Sequence, residues 1–316
     1  MNLVTGATGH IGNVLVRHLL SRGERVRAML MPGEDPSPLN DLEVEQVEAD
    51  VLDYQSLLGA LHEVDVVYHL AGIISILPGR NHLVDAVNVI GTRNVLQAAR
   101  LSGVNRLVYT SSIHALTRMP HGITIDESVP FDPKHAISAY DHSKAQASLE
   151  VLKAVQAGLD AVIACPTGVI GPYDYRGSEM GQLILDCVNR KPMFYVDGAY
   201  DFVDVRDVAQ GLALAAERGQ TGESYILSGE RLSVIGMIKT VQDIIGKQLL
   251  TMKIPMRLAR FAARFTPLYY QIARVKPRFT SYSLDTIISN SVISHAKARR
   301  ELGYTPRPLR ESLADT

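Results

Sequence analysis

Leu3-Val4-Thr5-Gly6-Ala7-Thr8-Gly9-His10-Ile11-Gly12 carries an apolar strand end into three glycines spaced three apart, and this stretch decides the fold. Gly6 permits a tight turn with backbone angles closed to other residues. Gly9 lets the backbone approach a pyrophosphate, and Gly12 lets the following helix pack closely on the strand. The helix read from about Ile11 to Arg22 carries Ile11, Leu15, Leu19 and Leu20 on one face. Its first N–H groups and positive dipole end point where phosphates would lie. A glycine triplet alone says little. Here it follows a strand, opens an amphipathic helix and precedes a second apolar stretch, Val26 to Met31. That is the unit a dinucleotide needs.

Working outward, strand-like runs alternate with helical ones. After a Pro-rich loop, Pro32 to Asn40, come Val44–Glu48, a helix at Tyr54 to Leu61, and Val64 to Gly72. A long helix is expected at Val84 to Ser102, a strand at Arg106 to Ser112, a helix at Ala139 to Ala157 and a strand at Ala161 to Cys165. This alternation predicts an α/β protein with a doubly wound parallel sheet, whose ligands bind at the carboxyl ends of the strands. Gly6–Gly12, Asp50–Asp53, Ala71–Gly72, Ser111–Ser112 and Pro166–Pro172 all fall at those ends. Helical stretches follow at Met180–Asn189, Val208–Glu217 and Ser233–Gly246. We read residues 1–166 as the dinucleotide-binding domain. Residues 167–316 form mainly a substrate-binding lobe, with segments such as 201–217 returning to pack on the first domain.

Bulk properties narrow the class. A net charge of −1 gives no electrostatic reason to bind nucleic acid. Hydrophobic and charged fractions of 46% and 21% are ordinary for a soluble globular chain. No apolar run approaches the ~18 residues of a membrane span, and no signal peptide is visible. The first strand starts almost at Met1, so either it is short or a residue or two precedes Met1. Cys165 and Cys187 sit in apolar surroundings and read as buried reduced thiols in a cytoplasmic protein. No metal site is expected. The stretch Ile254 to Lys276, rich in Leu, Met, Phe, Ala and Arg, reads as a lobe helix with arginines reaching outward. Its amphipathic alternative is a helix lying on a membrane.

Tyr140 and Lys144 stand one helical turn apart, on one face. A phenol near pKa ~10 is too weak an acid for neutral pH. A neighbouring ammonium would lower that value and make a general acid/base. Ser112, at a strand end, would bond the oxygen of a carbonyl or alcohol. His114, two residues on, is expected to line the substrate site with Ile74 and Tyr173. Ile73, Ile74 and Ile76 would form an apolar lip, which Tyr173 and Tyr175 close from the other side. His69 reads as a satisfied core histidine, and His142 as facing outward.

Together with His69-Leu70-Ala71-Gly72, Asn88, Thr110-Ser111-Ser112, Pro166-Thr167-Gly168-Val169-Ile170-Gly171-Pro172, Asp201–Ala209 and Lys297–Tyr304, these motifs resemble the extended short-chain dehydrogenase/reductases. The resemblance covers essentially the whole chain. It is nearest to the branch of dihydroflavonol reductases and 3β-hydroxysteroid dehydrogenases. It implies a Rossmann-like sheet with a smaller C-terminal lobe, a nicotinamide cofactor, and Ser112, Tyr140 and Lys144 as the catalytic trio. Lys144 would also bridge the ribose hydroxyls. The implied cofactor contacts are Gly6, Thr8, Gly9, His10, Ile11, Gly12, Met31, Asp50, Val51, Leu70, Ala71, Gly72, Asn88, Thr110, Tyr140, Lys144, Pro166, Thr167 and Val169, with Asp50 and Val51 near the adenine. It further implies a homodimer through the helices Val84–Ser102 and Ala139–Ala157.

Leu30 and Met31 end the second strand with no acid to select NAD, which favours NADP(H) over NAD(H), although Glu34 and Asp35 follow. Ile113-His114 stand where dehydratases of this fold carry an acidic pair, which argues against dehydration. The reading is therefore reduction of a ketone or oxidation of a secondary alcohol on a small, largely apolar substrate. The alternatives are a nucleotide-sugar epimerase, with Arg80, Arg176, Arg206 and Arg231 offered to a diphosphate, and a non-catalytic NADP-binding regulatory protein.

Overall fold

The computed structural model describes residues 1–76, 79, 81–189, 191–266 and 280–316. Seven strands form one parallel sheet. In chain order these are β1 (Asn2–Thr5), β2 (Val26–Leu30), β3 (Glu45–Glu48), β4 (Val66–His69), β5 (Arg106–Thr110), β6 (Ala161–Pro166) and, after three short lobe strands, β10 (Ser224–Leu227). Across the sheet the order is β10-β6-β5-β4-β1-β2-β3. The direction of winding reverses between β1 and β4. That leaves a crevice at their carboxyl ends, which open sheets of this kind use for ligands.

β1, β5 and β6 are buried on both faces, so they read as near-continuous apolar runs rather than alternating ones. One face packs under α1 (His10–Ser21), through Val14, Leu15 and Leu19. The other packs under α2 (Tyr54–Ala60) and the helices α4 (Thr92–Leu101) and α5 (Ala139–Gln156). Between the short α3 (His82–Asp85) and α4 the chain makes a widened π turn over Ala86–Gly91. The single long helix expected at Val84 to Ser102 is thus interrupted. The extra residue turns Asn88 inward, and Thr92 donates to the Asn88 carbonyl at 2.6 Å, within the widened turn.

The remaining strands build the lobe. β7 (Gly168–Ile170), β9 (Ala199–Asp204) and β11 (Glu230–Ser233) form one sheet, and β8 (Met193–Tyr195) pairs with β12 (Thr251–Lys253). α6 (Glu179–Val188) and α8 (Val234–Ile245) close its core. α7 (Val205–Arg218) returns to lie beside α1 on the main sheet. α9 (Met256–Ala263), α10 (Ser281–Ile287), α11 (Ala296–Leu302) and α12 (Leu309–Asp315) complete the described chain. β10 is a strand the pattern reading does not find. Ser-Tyr-Ile-Leu is too short to show a period, and it joins the main sheet only by pairing with β6. Among the described residues no helix is long and apolar enough to cross a membrane.

Candidate active site

The turn after β1 is shaped by contacts that exclude side chains. Gly6 has φ +65°, and a Cβ there would stand 2.8 Å from the Ala71 nitrogen. A Cβ on Gly12 would stand 2.1 Å from the Gly6 carbonyl oxygen. The third glycine therefore seats the helix against the turn itself. Gly9 caps α1 with no side chain bonded to the helix end. Its first N–H groups and dipole remain turned to the crevice, a ready anion site. Thr5 closes the β1–β4 seam: its Oγ1 accepts from the Leu70 and Ala71 nitrogens at 3.1 and 3.0 Å.

That hydroxyl then donates to His69 Nδ1 at 2.8 Å, and Nε2 donates to Thr92 Oγ1 at 3.0 Å. His69 is fully buried, and burial holds its pKa down to about 3. It is a neutral, satisfied core histidine.

Ser112, Tyr140 and Lys144 converge. Ser138 caps α5, with its Oγ accepting from the Asp141 nitrogen at 3.0 Å, and this fixes where Tyr140 enters. Ser112 lies close enough to Tyr140 to draw its phenol pKa down. Ser111 instead pairs with Ser148 at 2.7 Å, so the two serines part to opposite sides. Lys144 is 6% exposed, donates to the Thr110 carbonyl at 2.8 Å and lies 5.0 Å over the Tyr109 ring. Here one expectation is corrected. Tyr140 is not made more acidic by Lys144. Burial pushes its phenol up to about 12, against a smaller lowering by Ser112. The ammonium is occupied by a carbonyl, and burial brings Lys144 itself down to about 8. The site thus holds a neutral phenol beside a hydroxyl and an ammonium.

Asn88 braces the mouth. Its Oδ1 accepts from Ile73 at 2.7 Å, and its Nδ2 donates to the Ile73 carbonyl and to Ser143, next to Lys144. A Cβ on Gly72 would stand 3.1 Å from Asn88 Oδ1, so Gly72 lets this segment pack closely on the asparagine beside Lys144. Ile74 is 75% exposed. Val51 packs on Gly91, and Asp50 accepts from Leu52 at 2.9 Å. Ile11, Leu70 and Val169 pack on one core cluster as half-buried neighbours. Thr167 turns its hydroxyl to Asp201 at 2.7 Å, and Pro166 ends β6. His142 is exposed, as expected, 3.6 Å from Asp85.

The loop after β7 reaches back over the glycine turn. His10 Nε2 meets the Pro172 carbonyl at 3.0 Å, and Asn13 donates to Tyr173 at 3.2 Å. Tyr173 has φ +68° and lies under Arg17, 4.5 Å from ring centroid to guanidinium. The structure thus sets Tyr173 against α1, on the phosphate side. Arg176 donates to Thr8 at 2.6 Å and pairs with Glu34. Glu34 also accepts from Thr8 at 2.6 Å and from the Met31 nitrogen at 3.0 Å. Arg206 is held by Asp204 and Asp315, and Arg231 by Ser291. Arg80 and residues 267–276 of the Ile254–Lys276 stretch lie outside the described residues.

Behind Ser112 stands a wall that pattern reading finds only at His114. Its Nε2 meets Tyr200 OH at 2.8 Å, with the rings stacked at 5.8 Å. Burial lowers the His114 pKa, so the ring stays neutral. Tyr282 OH donates to Asp141 at 2.7 Å, with Ser138 donating to the same oxygen at 2.9 Å and Arg118 at 3.5 Å from the other. Tyr200, Tyr282 and Arg118 come from three separate segments, and no local motif marks them. A small cavity of about 40 Å³ lies against His114, Arg118 and Tyr200. The residues present fit a dinucleotide: glycines where a Cβ would fill the cradle, an uncapped helix end, and a buried ammonium.

Residues 2–228 match the model of the NAD dependent epimerase/dehydratase family. Over 99% of this chain and 96% of that protein, the sequence is 36% identical to sterol demethylase protein B of Methylococcus capsulatus. It is 33% identical to a putative dihydroflavonol 4-reductase of Synechocystis, covering 99% of this chain and 92% of that one. The crystal structure of gox2253 superposes with a TM-score of 0.87 at 34% identity, covering 100% of this chain and 96% of that one.

Proposed function

We propose that this chain, which belongs to the NAD dependent epimerase/dehydratase family and is an NAD(P)-dependent oxidoreductase of the extended short-chain dehydrogenase/reductase type, interconverts a ketone and a secondary alcohol on a small, largely apolar substrate. The observation that carries this reading is the half-buried Tyr140, set beside Ser112 and one helical turn from the buried Lys144 ammonium. In reduction, Ser112 holds the carbonyl oxygen in line and Tyr140 donates its proton to that oxygen. When bound, the nicotinamide supplies the hydride that the carbonyl carbon receives. Tyr140 then regains a proton from solvent, and Lys144 holds positive charge beside the site while it is ionised.

NADP(H) is the cofactor this reading favours. The arginine absent at Met31 has a substitute in Arg176, which reaches Thr8 in the phosphate turn from the far loop. A second reading, NAD(H), rests on Glu34, whose carboxylate stands at the same edge and would accept from a ribose hydroxyl. The epimerase alternative also fits the family; of the arginines it would offer to a diphosphate, Arg206 and Arg231 are held by Asp204, Asp315 and Ser291, and Arg176 by Glu34.

Fluorescence titration with NADPH and with NADH, followed by turnover on a panel of apolar ketones, tests the proposal. Tighter NADPH binding and net cofactor oxidation are expected. Interconversion of a nucleotide sugar with no net change in cofactor would overturn the reductase reading.

A further inference from the structure

One helix of the lobe turns its apolar side to solvent. α9 and the turn after it read Met256-Arg257-Leu258-Ala259-Arg260-Phe261-Ala262-Ala263-Arg264-Phe265. Its small residues face inward: Ala259 and Ala263 are buried with Val196 and Leu284. Its large ones face out, with Leu258, Phe261 and Phe265 exposed by 58, 60 and 58%. Spaced by three and four, they make one stripe. Phe261 and Phe265 meet edge to face at 5.4 Å. A surface helix ordinarily does the reverse. The strand leading into it adds Met252, in register with Phe194 of β8, and both are exposed.

The charge around the stripe identifies what covers it. Among the described residues from 244 to 266 the sequence holds five lysines and arginines and no aspartate or glutamate, in a chain of net charge −1, with Lys253 paired to Asp197. Arg257, Arg260 and Arg264 flank the apolar residues on α9 itself. Arg260 reaches Asp285 at 3.6 Å, with both side chains about half exposed, so that contact is easily exchanged. Apolar residues that can enter the acyl boundary, bordered by arginines that meet headgroup phosphates, match an anionic lipid surface.

The opposite, inward face of α9 connects to the site through α10. Leu284 of α10 packs beneath Ala259 and Ala263. Tyr282, on that helix, donates to Asp141 beside Tyr140. Thr280, which caps α10, donates to the Ile76 carbonyl at 3.0 Å, at the apolar lip.

We propose that α9 docks this protein on an anionic membrane surface through its exposed stripe, while its inward face packs on the helix that reaches the site.

Flotation of the full chain with vesicles tests this. The vesicles are phosphatidylcholine alone, or with about one lipid in three replaced by phosphatidylglycerol. Binding is expected to the anionic vesicles, weakly to the neutral ones, and to fall at high salt. Arg257→Gln/Arg264→Gln and Phe261→Ser/Phe265→Ser should each lower the partition coefficient by roughly tenfold or more. NADPH titration of each variant should match the parent, which shows that the fold is kept. No flotation on anionic vesicles, or equal flotation of parent and variants, would overturn the proposal. So would a parent dimer that Phe261→Ser/Phe265→Ser dissociates without any vesicle binding, because the stripe would then be an interface between copies. Turnover assayed without vesicles is a separate readout, so this proposal can fail while the reductase reading stands.

Discussion

The glycine turn and the wall behind Ser112 are both buried polar surfaces at the carboxyl end of one sheet, yet they are built in opposite ways. The turn is made of backbone, within seven residues, and works by leaving space: no Cβ at Gly12, no cap on α1. The wall is made of side chains from β9, α5, α10 and the segment after β5, and it works by filling space. A dinucleotide presents the same phosphates in every such enzyme, so a local and rigid solution suffices. A substrate differs from one enzyme to the next, and the surface that meets it is assembled from whichever segments the lobe brings in.

The sharpest way to break the comparison is at the junction of the two regions. Tyr140→Phe removes the proton donor and leaves both surfaces in place. Turnover of a ketone should fall by about 10²–10⁴-fold, with NADPH affinity within about twofold of the parent. Unimpaired turnover would mean that the phenol is only part of the wall.

Gly12→Ala attacks the turn alone. The new methyl meets a backbone carbonyl at 2.1 Å, and neither partner is a flexible side chain that can move aside. A stability loss of roughly 1–3 kcal/mol by chemical denaturation is expected, with NADPH affinity down by at least about tenfold. The wall should be untouched, so kcat at saturating cofactor should change far less than the cofactor Kd.

The pH profile separates two assignments that sequence reasoning merged. With Lys144 near 8 and Tyr140 near 12, the ammonium loses its proton first as pH rises. For reduction, kcat/KM should be level below about pH 8 and fall by up to about tenfold per unit above it. No limb should arise from the phenol in that range. Lys144→Arg, whose guanidinium stays charged, should remove the limb whatever its effect on the plateau.

These outcomes bear on what the sequence can tell. The turn was legible because its cause is local: the spacing of Gly6, Gly9 and Gly12 already implies the close approaches that the structure shows. The parallel sheet was legible from buried apolar runs. The Tyr140–Lys144 proximity was legible as well, but its electrostatics were not. A helical spacing does not reveal that the Thr110 carbonyl takes the ammonium or that burial raises the phenol. The π turn escaped because Ala86–Gly91 is ordinary helical sequence, and Asn88 turns inward only once Ile73 and Ser143 are there to receive it. Tyr200 and Tyr282 escaped because their partners, His114 and Asp141, are remote in sequence and meet them only in the fold.

Arg176 brings a lobe loop to the turn, where it meets Thr8 and Glu34. Arg176→Ala should weaken NADPH by about tenfold, the worth of one charge-assisted contact, and leave NADH within about twofold. Glu34→Gln provides the reciprocal. If it weakens NADH while Arg176→Ala changes neither cofactor, the edge of the turn selects the ribose hydroxyl and the NADP(H) preference is wrong.

The smallest effect on turnover should come from the wall itself. Tyr282→Phe takes one donor from Asp141, a carboxylate only 2% exposed, while Ser138 and Arg118 remain as partners. Losing one hydrogen bond to a buried charge should cost about 1.5–3 kcal/mol of stability. The cap from Ser138 to the Asp141 nitrogen persists, so α5 should still begin where it does and Tyr140 should stay within reach of Ser112. KM for the ketone should therefore rise more than kcat falls, and NADPH affinity should not move. Steady-state kinetics beside a denaturation curve reads all three. A collapse of kcat with KM unchanged would show that the wall sets the reacting geometry, and that the division between a local cofactor end and an assembled substrate end is drawn in the wrong place.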